Sequence, residues 1–160
     1  DREFYKTPWY KNASVAGYNF RMSNLLAAIG VCQMKKINNL NETRIKKSEY
    51  LTSELSKFDW ISPPMVLKGR KHVYQTYSIL IKESINRDKF VKYLNLNDIG
   101  ASVHFTPPIH KQQFYKTNFK SEKLPNTDYV SSNIVSLPMF PSIKKSQLDY
   151  IIQKIYDFRA

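Results

Sequence analysis

The sequence predicts an α+β fold entered through long helices, and three observations point to it. From Ser23 to Phe58 the apolar positions Leu26, Ile29, Met34, Ile37, Leu40, Ile45, Leu51 and Leu55 keep helical spacing. From His72 to Ile81 the pattern alternates instead, with Val73, Gln75, Tyr77, Ile79 and Ile81 on one side and Tyr74, Thr76, Ser78 and Leu80 on the other. Near the end Leu148, Ile151, Ile152, Ile155 and Phe158 form one apolar stripe. Helices flanking a small half-buried sheet make an α+β domain.

Residues 1–16 hold aromatic side chains and Pro8 without period and read as an irregular connection. Gly17 to Ser23, GYNFRMS, joins a turn to a helix start with Ser23 as N-cap. There the Asn19 amide and the Arg21 guanidinium suit an anion such as phosphate or carboxylate, because exposed N–H groups and the helix dipole favour negative charge. The same two residues also suit a plain capped helix entry. The helical phase drifts around Asn38, Asn39 and Asn41, poor helix-interior residues, so a break or kink is expected there. Gly30 costs about 1 kcal/mol of helix propensity, which suggests the close approach of another backbone.

Pro63, Pro64 and Gly69 mark a loop over 62–71 ahead of the alternating strand. Asn86 caps a short helix carrying Phe90, Val91 and Leu94, which ends near Asn97 and Asp98. A second strand is expected over Ala101 to Phe105, stopped by Pro107 and Pro108. A helical turn around Gln112 to Tyr115, a helix from Asn126 to Asn133 and a brief strand from Val135 to Leu137 come next. The last helix starts after Pro141, with Ser142 the expected cap, since the side chain of Lys144 cannot accept a hydrogen bond.

The chain has 160 residues and a net charge of +12, from 25 Lys and Arg against 13 Asp and Glu. The basic residues are scattered singly or in pairs, and no RNP strand, zinc-finger spacing or arginine-rich helix accompanies them, so nucleic acid is not the expected partner. The single Cys32 has no disulfide partner in the chain, which suggests a reduced, cytoplasmic setting. No run of about 18 apolar residues is present for a spanning helix, and no membrane partner is expected. The first residues read as neither a natural start nor a signal peptide, so a C-terminal fragment is expected.

No stand-alone catalytic apparatus is legible. There is no recognisable Ser, His and acid trio, no glycine-rich phosphate loop and no metal-ligand spacing around the three histidines. His72 opens a strand and reads as a structural hydrogen bonder. His104 and Phe105 end a strand before two prolines, where side chains are presented to a crevice, although packing explains His104 equally well and a place in the core is the more natural role for Phe105. His110 comes after the next turn.

GYNFRMSNLLAAIGVCQMKKI from Gly17, HVYQTYSI from His72, DIGASVHFTPPIHKQQFY from Asp98, LP at Leu124, SLPMFPSI from Ser136 and LDYIIQKI from Leu148 occur in one order. That series resembles the DegT/DnrJ/EryC1/StrS family of pyridoxal-phosphate-dependent aminotransferases of nucleotide-linked keto sugars. The resemblance implies an aspartate-aminotransferase-like (fold type I) enzyme of which this chain holds the C-terminal portion. The large cofactor domain, with the lysine that holds pyridoxal 5'-phosphate as a Schiff base, would lie upstream, so this portion alone is expected to be inactive. On the same ground 1–22 would be the connection and cofactor-phosphate turn, 23–58 paired or kinked linking helices and 59–160 the small C-terminal α+β domain.

The resemblance assigns Asn19 a hydrogen bond to the cofactor phosphate across a homodimer with shared active sites, and places Arg21 beside it. It brings His104, Phe105 and His110 toward a nucleotide-sugar substrate, with an amino acid, usually glutamate, as amino donor. Gln75 departs from a histidine common at its position, which puts any substrate contact there in doubt. Two alternatives remain: a sugar dehydratase of the same family, using the aminated cofactor, and a non-catalytic basic module.

Overall fold

The computed structural model describes residues 17, 18, 20–119 and 123–158. They divide after Lys35 into two compact units. In the first, α1 (Asn24–Met34) begins at the expected cap: Ser23 Oγ accepts from Leu26 N–H at 3.3 Å. None of its residues is buried, and Leu25, Leu26, Ile29, Val31 and Met34 are all exposed. A side chain at Gly30 would meet nothing among the described residues, so the close approach expected there is not made within them.

The second unit opens with α2 (Ile37–Leu55). The break between α1 and α2 falls at Lys35 and Lys36, earlier than the asparagines suggested. Asn38 and Asn39 instead occupy the first turn of α2 and Asn41 comes directly after it, where Oδ1 of Asn41 accepts from Arg44 at 3.0 Å. Short polar side chains are tolerated at a helix start because the first N–H groups have no intrahelical partner.

Three antiparallel strands, β1 (Ile61–Ser62), β2 (Tyr77–Ile81) and β3 (Ile134–Leu137), form a sheet in the spatial order β1-β2-β3. The two-residue β1 lies at the edge of the region expected to be loop. The expected strand from His72 is shorter than its alternation implied, because Tyr74 adopts a φ of 49°. That left-handed residue turns its ring inward, to 6% exposure, and breaks the period. His72 takes the structural role expected of it: its Nδ1 accepts from Tyr74 N–H at 3.0 Å.

Tyr77, Ile79 and Ile81 point into a core completed by Leu51 and Leu55 of α2, Phe90 and Leu94 of α3 (Arg87–Leu96), Val135 and Leu137 of β3, and Leu148, Ile151 and Ile155 of α6 (Lys145–Asp157). Trp60 and Phe158 pack their rings on Phe90, with centroids 5.3 and 4.9 Å away. Lys47 on α2 donates to the carbonyls of Pro141 and Ile143, both at 2.5 Å, which anchors the loop ahead of α6. The N-cap of α6 is Lys144 rather than Ser142, with its N–H donating to Gln147 Oε1 at 2.8 Å. A glutamine at N3 therefore satisfies one orphan donor without a hydroxyl cap.

The end of α3 fixes the path of the chain toward the sheet edge. Asp98 takes a φ of 58°, Ile99 N–H donates to Leu94 O at 3.0 Å and Asp98 N–H to Asn95 O at 3.2 Å. This is a Schellman closure with aspartate in the left-handed position usually held by glycine. The Asn95 amide then grips Ala101 through both its N–H and its C=O, each at 3.1 Å. Held there, Ser102 forms one antiparallel bridge to Ser136 at the free edge of β3. The expected strand over 101–105 amounts to that single bridge.

Candidate functional site

Beyond Ser102 the chain leaves the sheet. Its peptide bonds at His104–Phe105 and Thr106–Pro107 are cis, and Pro107 and Pro108 lead into a 3-10 turn (Ile109–Lys111) and α4 (Gln113–Asn118). Opposite lies α5 (Pro125–Asn133), with proline in its first turn, where a missing N–H costs nothing.

Between these segments lies an open cleft of about 760 Å³, mostly apolar, lined among others by Phe105, Pro108, Ile109, His110, Tyr115 and Phe119. A second hollow of about 340 Å³ is lined by His104, Asn126, Val130 and Ile134. Phe105, Pro108 and Thr127 line both, so the Phe105 ring, 82% exposed, forms part of both walls. The three residues singled out in this region, His104, Phe105 and His110, are thus gathered at adjoining hollows.

Polar groups sit at the margins. His110 Nε2 lies 2.9 Å from Asp128 Oδ1, and Lys111 Nζ lies 2.7 Å from the same oxygen. Asp128 stands in the first turn of α5, where a carboxylate is favoured by the helix dipole. The hydrogen bond from Lys111 holds its carboxyl below the usual range, with a smaller contribution in the same direction from His110 and some opposition from desolvation. His104 turns Nδ1 toward two serine hydroxyls, Ser136 Oγ at 3.2 Å and Ser102 Oγ at 3.3 Å. Asp128 and Ser136 escaped the sequence reading, because each meets its histidine only through tertiary register. The sole signal for Asp128 was an acid just after a proline at a helix start.

Such an arrangement offers flat apolar faces to a ring, and imidazole and ammonium donors to hydroxyl or phosphate oxygens. No group of three or more potential metal ligands occurs among the described residues. No helix among them is long and apolar enough to cross a membrane.

Asn19 lies outside the described residues. Arg21 is exposed in the first unit, just ahead of the Ser23 cap, and the neighbouring rings of Tyr18 and Phe20 stack with centroids 5.1 Å apart.

An uncharacterized protein of Methanocaldococcus jannaschii is 30% identical over 152 residues, a match that takes in 92% of this chain and 39% of that protein. Among solved structures, Helicobacter pylori PseC, an aminotransferase of pseudoaminic acid biosynthesis, superposes with a TM-score of 0.80 at 22% identity, over 96% of this chain and 42% of that one. The E. coli GDP-4-keto-6-deoxy-D-mannose-3-dehydratase with bound hydrated PLP superposes at 0.76 and 21% identity, over 88% and 37%. The chain therefore spans about two fifths of the length of these relatives. Residues 3–156 match the profile of the DegT/DnrJ/EryC1/StrS aminotransferase family, and the chain belongs to that family.

Proposed function

We propose that this chain is the C-terminal part of a pyridoxal-phosphate-dependent aminotransferase that moves an amino group from glutamate to a keto sugar carried on a nucleoside diphosphate. One observation carries the reading: two adjoining hollows that share Phe105 and Pro108, one lined by His110 and the other by His104, in a chain of an aminotransferase family. Residues 1–22 serve as connection and phosphate turn, 23–58 as linking helices and 59–160 as the small domain, in a cytoplasmic homodimer.

The donor chemistry around α1 fits the cofactor's phosphate. Arg21 carries a planar guanidinium two positions before the N-cap of a helix of 11 residues, and Ser23 caps that helix through Leu26 N–H. Asn19 and Arg21 would hold the phosphate across the dimer. When bound, pyridoxal phosphate supplies the electron sink for amino transfer. In the second unit, Phe105 and Pro108 face a sugar or base ring, while His104 and His110 donate to hydroxyl or phosphate oxygens. Asp128 keeps His110 and Lys111 together at the rim.

The test is to incubate the intact protein with pyridoxal phosphate, glutamate and a panel of nucleoside-diphosphate keto sugars, and to follow 2-oxoglutarate and aminated sugar by mass spectrometry. Aminated product supports the reading. Loss of water from the sugar without amination moves the assignment to the dehydratase alternative, whose structural counterpart is the E. coli enzyme. Cofactor-independent binding of mixed-sequence nucleic acid with neither reaction moves it to the basic module. Shared sites are tested by mixing an inactive variant of the upstream lysine with an Asn19→Ala, Arg21→Ala variant. Subunit exchange that restores activity supports them; exchange that restores none returns Asn19 and Arg21 to a turn within their own subunit.

A further inference from the structure

A row of three serines crosses the sheet. The register pairs Ser78 with Ser136 between β2 and β3, and the single bridge pairs Ser136 with Ser102 on the other side. Directly opposed residues of antiparallel strands share a face, so the three side chains stand side by side. Ser78 Oγ lies 3.0 Å from Ser136 Oγ, and Ser136 Oγ lies 3.2 Å from His104 Nδ1. Ser102 Oγ reaches the same ring nitrogen at 3.3 Å. Among the described residues, no hydrogen bond is made by the other ring nitrogen of His104.

Ser136 is 3% exposed whereas His104 is exposed, so the contact joins a fixed buried hydroxyl to a ring at the surface. A buried hydroxyl must be paired, and the partners of this one are Ser78 and the imidazole. Ser102 is half-exposed, where water competes for its hydrogen bond. The histidine is therefore anchored from the sheet side mainly by Ser136.

We propose that Ser136, backed by Ser78, is a positioning residue for His104, an inference that rests on the reading of His104 as a substrate contact. In the proposed arrangement Ser136 Oγ accepts from Ser78 and donates to Nδ1, which fixes the ring's orientation and keeps the proton on Nε2, the nitrogen that meets a substrate oxygen. The ring loses its rotational freedom before substrate arrives, which lowers the ordering cost of binding. Loss of the anchor acts on KM more than on kcat.

The test uses the intact protein carrying nitrogen-15-labelled histidine, with His104 resonances assigned through His104→Gln. In the parent the two His104 ring nitrogens should resonate apart, as one dominant tautomer. In Ser136→Ala they should move toward the averaged positions of free imidazole, and KM for the keto sugar should rise about five-fold, the scale of one lost hydrogen bond, with kcat within about two-fold. If Ser136→Ala does not fold, Ser136→Cys reads the same shift, since a thiol of nearly the same shape is a far weaker hydrogen-bonding group. His104 resonances that are unchanged in the variant that folds would overturn the proposal. Because they are read without substrate, a His104→Gln variant with unchanged KM would instead overturn the use of His104 in the proposed function.

Discussion

Tyr50 donates its hydroxyl to Asp149 Oδ1 at 2.5 Å, joining α2 to α6 across 99 positions of sequence. Lys145 completes the group, 2.9 Å from Asp149 Oδ2 and 4.7 Å from the centre of the Tyr50 ring. The Tyr50 hydrogen bond first, and the Lys145 bond second, hold the Asp149 carboxyl below its usual range. A folded-state value below the unfolded one contributes stability above the ordinary carboxylate range, and that stability is lost as pH falls through the folded value. Tyr50→Phe is therefore expected to melt at a modestly lower temperature at neutral pH, the effect being small because the site is solvent-screened. Its melting temperature should also fall less steeply than the parent's from about pH 5 to about pH 2. Parallel curves for the two proteins would remove Tyr50 as the cause.

Ser48 lies fully buried on α2, and its Oγ has no hydrogen-bond partner among the described residues. An unsatisfied buried hydroxyl costs about 1 to 3 kcal/mol, and alanine is also the better helix former by roughly 0.5 kcal/mol. Ser48→Ala is expected to raise unfolding free energy by about 1 kcal/mol in urea titrations, the small lost volume offsetting part of the gain. A destabilised variant would mean that the hydroxyl is satisfied.

The helices were legible where local chemistry carried them. Ser23 and Asn86 cap as their positions predict, and the stripe ending in Ile155 packs as its period requires. The sheet was less so. Tyr74 leaves the extended region and cuts the strand that alternation promised, and Ser102 finds only one bridging partner before the prolines. The gathering of His104, Phe105 and His110 was foreshadowed by the prolines and by family resemblance. Their supports were not, because Asp128 is 18 residues from His110 and Ser136 is 32 from His104, separations that only the folded register closes.

Tyr77 gives an alkaline counterpart to Asp149. Its ring is fully buried and its hydroxyl lies 2.8 Å from Thr52 Oγ1. Burial pushes the phenol up to about 12, against a smaller lowering from the Thr52 bond. A raised folded value means that the neutral phenol contributes stability below the unfolded value of 10.0, and that this is lost as pH rises through about 12. The loss attributable to this residue is roughly 2 kcal/mol. Tyr77→Phe should cost about 1 kcal/mol at pH 7, for the hydrogen bond, and lose less stability than the parent between pH 10 and pH 12. Urea titrations across that range decide the matter; equal losses in both proteins would place the alkaline transition elsewhere.

Phe105 separates function from stability more cleanly than any other residue of the site. At 82% exposure it adds little to the core, yet it lines both hollows beside α5. Phe105→Ala should leave the melting temperature almost unchanged, as exposed substitutions change stability by about 0.5 kcal/mol or less. If the proposed function holds, the same variant of the intact protein should raise KM for the nucleotide sugar about three- to ten-fold, the scale of an aromatic contact of roughly 0.5 to 1.5 kcal/mol. Phe105→Tyr, which keeps the ring, should restore KM. Normal KM in the alanine variant would deny the ring any part in binding, and a large fall in melting temperature would show that Phe105 is buried against a surface of the intact protein.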